Sequence, residues 1–168
     1  MKRIAVLVED MYQDLEVWYP YLRLKEAGYE VFAVGTGRSK VYKSKHGYEM
    51  LQEFTIKEAA ERDFDAVIIP GGYAPDILRR YPEVNGFVRV MFTRGKVVAS
   101  ICHGGWVLAS AGILKGRTVT SFFAIKDDMI HAGATFMDEE VVVDGNLITS
   151  RKPEDLPAFM KAVLKALK

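Results

Sequence analysis

The sequence has 168 residues, enough for one domain that buries a sizeable core of its own. Hydrophobic residues make up 49%, charged residues 27%, and the formal net charge is +1, the balance of a soluble globular protein and not of a nucleic-acid or anionic-membrane binder. No apolar run approaches the ~20 residues needed to span a bilayer. Glu9 and Asp10 interrupt the run behind Met1-Lys2-Arg3 before it reaches the ~7–15 apolar residues of a signal segment, so a cytoplasmic location is expected. The lone cysteine, Cys102, cannot form an internal disulfide, and the fold needs no oxidising compartment.

In chain order, Ile4 to Val8 is a continuous apolar run, the pattern of a parallel strand covered on both faces. Leu15 to Ala27 has helical spacing and stops at Gly28, with Pro20 predicting a kink or a late start. Tyr29 to Val34 is a second strand, and Val41 to Met50, carrying Lys-Ser-Lys-His-Gly, reads as a hairpin or exposed excursion. Ala66 to Ile69 is a buried strand ending at Pro70-Gly71-Gly72. A helix over about Glu83 to Thr93 leads to the strand Val97 to Ile101 and then to a short helix, Trp106 to Ala111. Arg117 to Thr120 is a strand candidate. Val141 to Val143 and Leu147 to Thr149 form a hairpin through Asp144-Gly145-Asn146, and Pro153 to Leu167 is a terminal helix with one apolar face. Strands alternating with helices predict a doubly wound, mostly parallel α/β sheet in one domain over residues 1–168.

Such sheets bind ligands at the carboxyl ends of their strands. Three segments fall there: Glu9 to Glu16, Pro70 to Gly72, and Ser100 to Gly105. In the last, an apolar strand runs into Cys102-His103-Gly104-Gly105 and then a helix, the logic of a nucleophile elbow. The helix N-terminus is expected to favour a Cys102 thiolate, and at this junction a reactive nucleophile outweighs an inert buried thiol. His103 fits a general base or an imidazolium partner of the thiolate, or else a turn residue satisfied by backbone or solvent. Gly71 and Gly72 suit an oxyanion site or a plain turn. Glu16 is placed either to meet the sulfur or a substrate proton, or to be a solvated first-turn carboxylate. His46 and His131 show no metal spacing with Cys102, and no zinc, P-loop or dinucleotide pattern is present. No metal or other cofactor is expected.

Taken together, Val98-Ala-Ser-Ile-Cys-His-Gly104, Ile68-Ile-Pro-Gly-Gly72, Thr120-Ser121 with Ile125-Lys-Asp-Asp-Met129, and Val141-Val-Val-Asp-Gly-Asn146 through Thr149-Ser-Arg151 resemble the PfpI intracellular protease family. Its superfamily includes the Parkinsonism-associated deglycase and shares a fold with class I glutamine amidotransferases. The resemblance implies a flavodoxin-like three-layer α/β/α sandwich with a nucleophile elbow and a small β-hairpin. It also implies homo-oligomers, dimers that can assemble into hexamers. In its terms Cys102 is the nucleophile, His103 its neighbour and Glu16 the carboxyl on the sulfur. Gly72 and His103 supply oxyanion N–H groups, with Gly71 and Gly104 beside them, and Asp76 matches an acid completing a Cys-His-acid triad across a subunit interface. Gly105 stands where many members have Pro, and Phe122 where some have Tyr. The activity implied first is a cysteine hydrolase of the PfpI peptidase type, with Cys102 attacking a carbonyl. A second is a glutathione-independent glyoxalase or deglycase acting on methylglyoxal-type carbonyls. A third is a non-enzymatic cysteine redox sensor or stress chaperone. The substrate is a peptide or a small carbonyl, with no nucleic acid or membrane involved.

Overall fold

The computed structural model describes residues 1–168. Strand β1 (Arg3–Val8) leads to helix α1 (Asp14–Glu26), β2 (Glu30–Gly35), the hairpin β3 (Val41–Lys43) and β4 (Glu49–Leu51), then β5 (Phe54–Thr55) and α2 (Ile56–Ala60). Strand β6 (Ala66–Ile69) is followed by α3 (Ala74–Leu78), α4 (Pro82–Thr93), β7 (Val97–Ile101) and α5 (Gly105–Ala111). The chain continues through β8 (Thr118–Val119), α6 (Lys126–His131), β9 (Thr135–Phe136), the hairpin β10 (Val141–Asp144) and β11 (Leu147–Ser150), and α7 (Leu156–Ala166).

Seven strands form one sheet in the order β10-β11-β7-β6-β1-β2-β5, parallel throughout except for β10 on β11. Helices α1 and α7 pack together on one face, and α2, α4 and α5 follow one another on the other, the three-layer arrangement implied above. The central strands are apolar on both sides because both are covered: Ile4 to Val8 and Ala66 to Ile69 are fully buried, at about 2 kcal/mol of stabilisation for each large side chain. Buried apolar residues form one cluster of 48. No helix is long and apolar enough to cross a membrane.

The structure settles two details that the sequence left open. Helix α1 does not start late: it begins at Asp14 and carries Pro20 in its interior. Gln13 sets that start, its side chain accepting the Glu16 N–H at 2.9 Å. Strand β8 does not join the main sheet but pairs with β9 in a separate two-stranded one.

From β1 the chain runs to β2 on one side, and later to β6 and β7 on the other. The switch point of the sheet therefore lies between β1 and β6, where the carboxyl ends of neighbouring strands open a crevice. Glu9, Pro70 and Cys102 each follow directly on one of these strands.

Candidate active site

Cys102 leaves β7 with φ of 60°, in the left-handed region that costs a residue with a side chain roughly 1–2 kcal/mol. The turn continues as a 3-10 segment, Cys102–Gly104, directly into α5. Gly104 makes it possible, since a Cβ there would lie 2.6 Å from Ser100 Oγ and 2.8 Å from the Ile69 carbonyl. Gly104 is therefore a packing position and does not line the pocket around Cys102.

Glu16 is fully buried under this turn. Its Oε2 accepts the Gly71 N–H at 2.7 Å, and its carboxyl lies against the Cys102 sulfur. Oε1 has no hydrogen-bond partner. Such an oxygen is costly on a buried carboxylate and much less so on a protonated acid. Burial accordingly raises Glu16 to about 7. Gly71 has no room for a side chain: a Cβ would sit 2.4 Å from Glu16 Oε2 and 2.6 Å from Cys102 Cβ. Its N–H belongs to Glu16 and is not offered to a substrate.

The helix terminus does not dominate the thiol. Burial first, and then the negative charge of an ionised Glu16, push Cys102 up to about 12, while the N–H groups of His103 and Gly72 face the sulfur and pull it down. The charge repulsion disappears when Glu16 holds its proton, so the acidity of the thiol is coupled to the protonation of the carboxyl. His103 Nδ1 is 3.2 Å from Sγ. Burial lowers the imidazole pKa, so a neutral ring is available to accept the thiol proton. The ring is held between Trp106 and Phe122, with centroids 5.1 and 5.0 Å away, and Trp106 is fixed in turn by its N–H to Asp128 Oδ2 at 2.8 Å.

Asp76 stands on α3, ion-paired with Arg80, which holds its carboxyl below the usual range. It does not line the pocket around Cys102. That pocket, about 450 Å³, brings together Glu16, Gly72, Cys102 and His103 with an apolar wall of Trp106, Phe122 and Pro153. It also holds three residues that the sequence does not single out, Gln13, Lys45 and Tyr73. Lys45 comes from the hairpin read as an exposed excursion, and no local pattern points it toward Cys102. A larger groove of about 520 Å³ runs between α2 and α4 over Phe64, Phe87 and Met91. No cysteine, serine or threonine lines it.

The DJ-1/PfpI family model matches residues 2–166. The deglycase PfpI of Pyrococcus furiosus is 46% identical over 166 residues, covering 99% of both chains. Bacillus subtilis YraA, named provisionally as a cysteine protease, is 41% identical over 99% of both. Among solved structures, a two-domain protein of Anabaena variabilis with DJ-1/ThiJ/PfpI-like and ferritin-like domains superposes with a TM-score of 0.96 at 46% identity, over 99% of this chain and 48% of that one. Drosophila melanogaster DJ-1beta gives a TM-score of 0.89 at 27% identity, over 96% of this chain and 88% of that one. A family model that matches nearly end to end, and relatives this similar over their full length, show that the chain belongs to the DJ-1/PfpI family.

Proposed function

We propose that the protein is a carbonyl-processing cysteine enzyme of the glyoxalase or deglycase kind, acting on methylglyoxal-type 2-oxoaldehydes and their adducts. The observation that carries this reading is the Glu16 carboxyl, buried against the Cys102 sulfur with a pKa of about 7, where it can both give and take a proton near neutrality. The Cys102 sulfur adds to the aldehyde carbon as its proton passes to His103 Nδ1. The carbonyl electron pair moves to oxygen, facing the Gly72 and His103 N–H groups, and protonation gives a hemithioacetal. The hydrogen on that carbon leaves as a proton to ionised Glu16 and returns to the neighbouring ketone carbon. The first carbon is thereby oxidised to a thioester while the second is reduced to an alcohol. Water cleaves the thioester, releasing a 2-hydroxy acid and the thiol. The test is lactate formation from methylglyoxal without glutathione. The wild type is expected to turn over and Cys102→Ala to be inactive, and a wild type that forms no lactate overturns the reading.

A second reading, peptide hydrolysis, draws on the 3.2 Å contact between His103 Nδ1 and Sγ and on the name of YraA. It requires an acid to orient His103. Asp76 serves only if a second copy of the chain brings it near and it leaves Arg80. Homo-oligomers are proposed on the exposed apolar residues Leu15, Leu22 and Tyr48, which a partner copy would cover. A redox-sensor role needs a standing thiolate, and burial of Cys102 works against one.

A further inference from the structure

The hairpin β3–β4 is fixed to the floor of the pocket by backbone. The Lys45 N–H donates to the Tyr12 carbonyl at 2.9 Å, the Gln13 N–H to the Gly71 carbonyl at 3.2 Å, and the Tyr73 N–H to the Met11 carbonyl at 2.9 Å. Residue 45 is thus tied, through residues 11–13, to the turn that faces Cys102. Side chains brace the loop on both flanks: Ser44 Oγ donates to Asp14 Oδ2 at 2.6 Å, His46 Nδ1 meets Asp14 Oδ1 at 2.8 Å, and Tyr12 Oη donates to the Tyr48 carbonyl at 2.6 Å. The basic residues on either side of Lys45 have acidic partners, Lys43 with Glu49 and His46 with Asp14. Lys45 has none, and its side chain is the one that lines the pocket.

Within the pocket no other lysine or arginine is present, and the remaining wall is largely aromatic. A neutral methylglyoxal offers such a cation only carbonyl lone pairs and no charge to pair with. We propose that Lys45 is a specificity-determining residue that holds a carboxylate on the substrate, so that the preferred substrates are 2-oxoaldehydes or aldehyde adducts carrying a carboxylate. This rests on the carbonyl chemistry proposed above. The ammonium charge reaches the reacting groups, lowering the pKa of both Glu16 and His103. The exposed carboxylate of Glu154 acts on Glu16 in the opposite sense and disfavours a substrate anion placed on its side. Lys45 is exposed at the pocket mouth, and a substrate carboxylate seated on it would pair with an otherwise unmatched charge, a contact screened on its solvent side by salt.

Two experiments separate the recognition from the chemistry. Cys102 is the only cysteine, so its alkylation by iodoacetate and by iodoacetamide can be followed by intact mass, with Sγ displacing iodide in both. Lys45→Met is expected to lower the ratio of iodoacetate to iodoacetamide rates about tenfold. Lys45→Arg should keep the ratio, and about 0.5 M salt should erode it in the wild type. An unchanged ratio in Lys45→Met overturns the proposal whether or not the enzyme turns over. The second compares kcat/KM for 4,5-dioxopentanoate, giving 2-hydroxyglutarate, with that for 2-oxopentanal, giving 2-hydroxypentanoate. These substrates share a chain length and differ in the terminal carboxylate. The wild type is expected to favour the anion about tenfold and Lys45→Met to lose that preference through KM. Equal turnover of the two by the wild type overturns the substrate class. Turnover of neither overturns the carbonyl reading, and the alkylation ratio still decides the role of Lys45.

Discussion

Replacing Glu16 by Gln tests the centre of the argument through stability as well as activity. Glu16 is raised from 4.5 to about 7, mainly by burial, a shift equivalent to roughly 3 kcal/mol. The folded protein holds this proton more tightly than the unfolded chain does. The stabilisation is therefore complete below the unfolded value of 4.5 and is lost as pH rises through 7. Glutamine keeps the shape, can accept the Gly71 N–H through its oxygen, and cannot ionise. Urea unfolding at about pH 4.5 and about pH 8 should show the variant gaining roughly 3 kcal/mol on the wild type across the interval. Cys102, with an ordinary value of 9.0 that burial raises further, stays largely protonated in both states over this range and does not contribute. The same variant should lose about 10²–10⁴ in turnover of methylglyoxal, the usual worth of a positioned acid–base group. Parallel stability curves for the two proteins would refute the buried, proton-holding Glu16. Normal turnover would refute its role in the reaction.

Gly71→Ala adds one methyl group 2.4 Å from Glu16 Oε2 and 3.0 Å from Cys102 Sγ. It should destabilise by about 1–3 kcal/mol through overpacking and reduce kcat by about 10² through displacement of the acid, read by urea unfolding and lactate formation; unchanged kcat would show that the carboxyl has room to move. Asp76→Asn removes a partly exposed ion pair with Arg80 and should change stability by less than about 1 kcal/mol. It distinguishes the two functional readings: lactate formation within twofold of wild type supports the carbonyl enzyme, whereas joint loss of peptide and lactate activity places Asp76 in the reaction.

The sheet was legible because its central strands are buried on both faces. Ala66 to Ile69 is an unbroken apolar run, Val97 to Ile101 is interrupted only by Ser100, and they appear as β6 and β7 within the expected limits. The elements without an early signal are those too short to repeat a pattern, helices of less than two turns and strands of two residues. Helix α3 spans Ala74–Leu78, directly after a glycine pair that reads as a loop, and α2 follows the two-residue β5. The Thr55–Glu58 capping box in front of α2 was a local signal present in the sequence. Arg117 to Thr120 contains β8 as expected, but hydrophobicity over four residues marks a strand without naming its partner, and that partner, β9, is itself only two residues long.

The site divides along the same line. Cys102 announces itself because strain, glycines and a helix start fall within a few residues. Glu16 and Lys45 depend on contacts far apart in sequence. Glu16 owes its pKa to burial and its position to Gly71, 55 residues away, and a first-turn glutamate looks the same in sequence whether buried or solvated. Lys45 enters the pocket because Tyr12 bridges both Ser44 and Gly72, placing the hairpin beside the turn that faces the sulfur. Neither contact is local, yet both are set by the switch point between β1 and β6, which brings the two loops to one crevice. On the reading proposed here, the elbow supplies the nucleophile, and the loop after β1, through what it pins beneath and beside the sulfur, sets which proton moves and which substrate charge is welcome.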